Sequence, residues 1–138
     1  MDVEGLVLKA WGSGLNRDFT FTIGNQQPPF YSTVWGGTDS LTVLKVDNII
    51  YPQEWYFAAL VTGKENTKLY LNGELIYAAS YDNPLKQNDA PIILGKATYY
   101  SPKTRYFNGK IDELIILNKA LSSEQINQIY NKFLSYHP

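Results

Sequence analysis

The sequence has no cysteine. Disulfides, thiolate nucleophiles and thiolate metal sites are therefore excluded. It has a single histidine, His137, next to the final residue. A His-centred triad or zinc site needs an anchored imidazole, and the penultimate position predicts a loose tail instead. No apolar run approaches the roughly 20 residues that span a bilayer, which argues against membrane insertion. A net charge of −1 with no basic stripe argues against nucleic acid as a partner. The opening MDVEGLVLKAW has no basic segment before an apolar one, so no signal peptide is read there. There is no Asn-x-Ser/Thr sequon. Gly12-Ser13-Gly14 and Gly36-Gly37 lack the spacing of a phosphate loop and read as turns.

What the chain does have is tyrosine, at 11, with 3 tryptophans and 6 phenylalanines in 138 residues. The length is that of one domain able to bury a core. Aromatic residues favour strands, and they also offer flat apolar faces with a polar edge for a ligand. Runs of strand type recur between turn residues: 6–11, 18–23, 30–35, 41–46 and 55–62. In 18–23 Phe19, Phe21 and Ile23 alternate with Asp18, Thr20 and Thr22, the pattern of a strand with one buried face. The run 55–62 is almost wholly apolar and predicts a central strand with Trp55 in it.

TKLYLNGELIYAA predicts a hairpin. Asn72-Gly73 is the pair favoured in a type I′ turn, because both central residues need positive φ. A polar loop over 81–90, a strand over 91–94 and a loop over 98–105 follow. Asn108-Gly109 then predicts a second tight turn into a strand over 110–117. Only Ser123–Leu134 reads as helix. Ser122 is placed to cap it with Gln125 closing a capping box. Ile126, Ile129, Tyr130, Phe133 and Leu134 form its apolar stripe. Many short strands with one terminal helix predict a single all-β domain, an antiparallel β-sandwich.

Asp112-Glu113 is the acid pair to weigh. Alternate strand residues point to opposite faces, so the two carboxylates diverge. A retaining glycosidase needs its pair about 5–5.5 Å apart on one face. Hydrolysis is disfavoured on that ground. Asp112 stays open as a calcium ligand, since calcium mixes carboxylates with backbone carbonyls. Composition by itself favours the plainer reading, an Asp that bonds a neighbouring turn.

FNGKIDELIILNKALSSEQINQIY resembles the closing signature of laminin-G-like domains in the concanavalin A-like lectin/glucanase superfamily. Phe107, Gly109, Ile111, Asp112, Glu113, Ala120, Leu121, Ser122, Glu124, Ile126 and Tyr130 match that pattern. Upstream, Glu54-Trp55-Tyr56-Phe57-Ala58 resembles the family's Trp strand. Leu69 to Leu75 resembles its hairpin, and Ile93-Leu94-Gly95-Lys96 its next strand. The resemblance implies a jelly-roll of two antiparallel sheets with the helix packed on one side, and a core place for Trp55. It also implies a structural calcium at Asp112, completed by carbonyls from an N-terminal strand. Family members usually open with further strands that the residues before Leu6 cannot supply, so the front looks shortened.

By that resemblance the chain reads as a non-catalytic module that binds a glycan or a surface protein within a larger extracellular, bacterial or phage-type protein. The binding candidates are Trp11, Asn16, Arg17, Trp35, Tyr99, Tyr100 and Tyr106. The alternatives are a structural spacer that binds nothing small and, behind it, a glycoside hydrolase. A shortened front predicts that the apolar strand LVLKAW lies at an exposed edge, where a second copy would pair with it into a homodimer.

Overall fold

A computed structural model of the chain describes residues 3–11, 16–24, 30–36, 40–46, 53–64, 66–80, 91–97 and 105–137, the first four segments by backbone and register. The predicted loop over 81–90 lies outside these residues, as do the face assignments of Phe19, Phe21 and Ile23 and all of the predicted loop over 98–105 except Arg105, which begins a short strand. The fold is an antiparallel β-sandwich with one short helix.

The strands are β1 (Val3–Trp11), β2 (Asn16–Gly24), β3 (Phe30–Gly36), β4 (Ser40–Val46), β5 (Ala58–Thr62), β6 (Asn66–Leu71), β7 (Glu74–Ser80), β8 (Ile92–Leu94), β9 (Lys96–Ala97) and β10 (Arg105–Tyr106). Helix α1 is Ser123–Leu134. One sheet runs β4-β3-β2-β1-β8, another β5-β6-β7, and β10 pairs with β9 alone. β1 therefore is not an edge. β2 lies along one side and β8 along the other, with Val7 opposite Leu94 and Lys9 opposite Ile92. The exposed N-terminal edge expected for LVLKAW is corrected by this pairing: β8, distant in sequence, lies along the other side of β1 at Val7–Lys9. The homodimer built on that edge loses its footing.

The hairpin forms as its sequence predicts. Asn72 and Gly73 have φ of 50° and 79°, as a type I′ turn requires. Asn72 does more than turn. Its backbone N–H donates to the Phe57 carbonyl at 2.7 Å, and its side-chain oxygen accepts from the Phe57 N–H at 3.0 Å. The ladder between β6 and β7 slips by one residue: Leu69 faces Tyr77 but Tyr70 faces Leu75. Ile76 is the extra residue of a bulge, a feature with no sequence signal here.

β6 is the middle strand of its sheet, so both its edges are paired. Thr67, Leu69, Tyr70 and Leu71 are all buried. Helix α1 lies over this sheet and is held as its sequence dictates. The Ser122 hydroxyl accepts from the Gln125 N–H at 3.2 Å, and the Gln125 side chain accepts from the Ser122 N–H at 2.9 Å. Ile126 is buried, while Ile129, Tyr130 and Phe133 are half-buried. Leu134, placed in the same stripe, is exposed. Tyr70 reaches the first helical turn, with its hydroxyl 2.9 Å from that of Ser123.

Four expectations fail in this region. The strand predicted over 55–62 begins only at Ala58, because Gln53 turns the chain with φ of 70° and Trp55 falls on the approach. Trp55 is 43% exposed, not core. The strand predicted over 110–117 pairs with nothing among the described residues. Its lead-in differs as well. Gly109 has no positive φ, so Asn108-Gly109 is not a type I′ turn. Gly109 is needed because a Cβ there would stand 2.6 Å from the Phe107 ring.

Candidate functional site

The site grows from the end of the helix. After Leu134 the chain does not fray. The N–H groups of Tyr136 and His137 donate to the Phe133 carbonyl at 3.0 and 3.1 Å. This extra turn places the His137 imidazole between two rings, with centroids 4.7 Å from Trp55 and 4.7 Å from Phe133. Phe133 continues the row to Phe57 at 6.0 Å, and Phe57 to Tyr130 at 5.8 Å. Tilted aromatic pairs at such spacing are favourable beyond their area. The row binds the helix to the segment leading into β5.

The loose tail expected for His137 is thus corrected. Its side chain is only 16% exposed, and Nε2 donates to the Asp112 carboxylate at 2.7 Å. With the proton on Nε2, a neutral ring leaves Nδ1 as an acceptor. One oxygen of Asp112 is engaged and the other remains available. Trp55, Asp112 and His137 form a compact surface: an open indole, a carboxylate and an oriented imidazole. Sequence reasoning missed Trp55 and His137 as surface groups. Pro52-Gln53 was the available signal for Trp55, a turn pair directly before the supposed strand. The imidazole of His137 has no counterpart signal, since its place depends on packing across the chain.

At Asp112 calcium would find few side-chain donors among the described residues. Calcium takes six to eight oxygens, whereas here an imidazole holds the carboxylate, and no cluster of three His, Asp or Glu occurs among the described residues. Adding millimolar calcium, or a chelator, is expected to leave the melting temperature unchanged, because only a ligand of the native state would raise it. A rise that Asp112→Asn abolishes would restore the metal site.

The backbone register gathers some of the other candidates. Trp11 stands opposite Asn16, and Ala10 opposite Arg17, at the closed end of β1 and β2. β3 runs back so that Trp35, opposite Leu41, reaches the same end of the sheet. Tyr106 is elsewhere. It pairs with Lys96, beyond Leu94 and so toward the Val3 end of β1. It is 66% exposed, with the Lys96 ammonium 6.0 Å above its ring. Tyr99 and Tyr100 lie outside the described residues.

This geometry agrees with the sequence comparisons. Residues 4–127 match the laminin-G-like family described as the concanavalin A-like lectin/glucanases superfamily. The chain belongs to that superfamily. Among curated proteins no similar sequence is found. Among solved structures it is similar to an S-layer domain-containing protein (residues 221–444) from Clostridium thermocellum ATCC 27405. Identity is 18%, the TM-score is 0.47, and the match covers 91% of this chain and 61% of that one.

Proposed function

We propose that this domain is a non-catalytic module that binds carbohydrate at the Trp55 surface, within a protein working outside the cell or on its surface. The observation that carries the reading is the half-open indole of Trp55 against His137, whose imidazole in turn holds the Asp112 carboxylate. A sugar ring presents C–H groups on one face and hydroxyls around its edge. An aromatic face suits the first, and a few fixed polar groups suit the second. Laminin-G-like domains are generally non-catalytic. Asp112, moreover, is committed to His137 rather than paired with a second acid, which supports binding over hydrolysis. The sheet end carrying Trp11, Asn16, Arg17 and Trp35 is the second surface for such a ligand.

A glycan array, followed by titration of any hit, tests this. Trp55→Ala is expected to weaken binding at least about tenfold, in line with loss of a stacking anchor. Its fold should be retained, because the residue is not core. A Trp55→Ala chain that keeps full affinity, while Trp11→Ala or Trp35→Ala loses it, would move the site to the sheet end. A flat array with an unaltered, stable chain would favour the spacer.

A further inference from the structure

The run 111–117, IDELIIL, has the alternation of a strand but joins no ladder among the described residues. Among the described residues nothing bonds to the backbone of 113–117. Its side chains show the same incompleteness. In a sandwich strand, alternate residues divide into a buried and an exposed set. Here Leu114 and Ile116 on one side, and Ile115 and Leu117 on the other, are all 44–56% exposed. The start of the run is nevertheless fixed, since Asp112 is held by His137. That bond engages one of the two carboxylates of the run. Glu113 is exposed and, among the described residues, has no ionic partner.

We propose that 111–117 is an acceptor strand for an extended segment of another polypeptide, one that is apolar along its length and carries a basic residue opposite Glu113. The bare backbone selects this kind of occupant. A row of free N–H and C=O groups is satisfied in full only by another strand. Main-chain bonds then supply affinity, and alternate side chains supply selectivity. The lone charge of Glu113 adds a cross-strand preference for Lys or Arg. This interface adjoins the Trp55 sugar surface at Asp112, but its bare backbone at 113–117 lies past that residue and the proposal does not depend on sugar binding.

The probe is a fluorescein-labelled peptide of the same length as the run, built of Val, Ile and Thr with one Lys facing Glu113 in antiparallel register. A counterpart has Glu in place of that Lys. With the full chain, amide hydrogen exchange at 113–117 is expected to be fast alone and to slow at least about tenfold with the Lys peptide, as strand pairing closes those groups. The Glu peptide should bind roughly threefold more weakly, the scale of one cross-strand charge pair. Glu113→Lys, at an exposed position, should reverse that order. Protection of these amides in the dilute chain alone would overturn the proposal. So would exchange that neither peptide alters. Protection that grows with protein concentration alone would give the place to a second copy and overturn the foreign strand.

Discussion

Replacing Gly73 with alanine is expected to destabilise the domain by about 3 kcal/mol, combining the usual 1–3 kcal/mol of a non-glycine residue in a left-handed conformation with a steric conflict. Gly73 has φ of 79°, and a Cβ there would stand 2.6 Å from Cδ1 of Tyr130 and 2.8 Å from Oδ1 of Asn127. The turn and the helix therefore compete for the same space. Urea unfolding measures the loss. A double-mutant cycle separates its two parts: in a Tyr130→Ala background Gly73→Ala should cost less, because only Asn127 and the backbone strain then oppose it. An additive cycle would mean that Tyr130 adds nothing and that the cost lies in backbone strain and Asn127. A full-stability Gly73→Ala chain would mean that the hairpin and helix do not touch.

Tyr70→Ala should cost still more, about 3–5 kcal/mol, as for other large aromatic truncations in cores. The ring is 1% exposed on the middle strand of its sheet, and its hydroxyl meets Ser123 in the first turn of α1. Tyr70→Phe keeps the ring and removes that bond, so its cost should be only about 1 kcal/mol. The ratio of the two is the test. If Tyr70→Phe costs as much as Tyr70→Ala, the helix is held by the hydrogen bond and not by packing. Far-ultraviolet circular dichroism during unfolding should show the helix lost together with the sheet. A helix of this length is marginal in water without tertiary contacts.

The parts of this fold that were legible in the sequence are those set by neighbouring residues. Asn72-Gly73 specifies its own turn because the φ demand falls on two adjacent positions. Ser122 and Gln125 specify the start of α1 because both groups they satisfy lie within one helical turn. The runs that became β1 to β4 carry their own punctuation. What was not legible depends on residues far apart. β1 is interior because 92–94 returns to it, and no local pattern announces that pairing. Trp55 and the run 111–117 are apolar, and apolar composition gives a strand's propensity without its partner. His137 takes its place from Trp55, Phe133 and Asp112 together. The candidate site was therefore the least readable part, being assembled from three separate stretches.

The pairing of Val7 with Leu94 has a consequence for biogenesis. A chain is made from its N-terminus at about 5–20 residues per second, so β1 waits several seconds for the strand that flanks it. During that wait β1, β2, β3 and β4 can zip together, since each pairs with its neighbour in sequence. The outer side of β1 stays bare over the same interval. Such a nascent sheet offers a transient template to chaperones, or to other nascent chains on the same messenger. Slowing translation between β4 and β8 should therefore lower soluble yield without changing the stability of the finished protein.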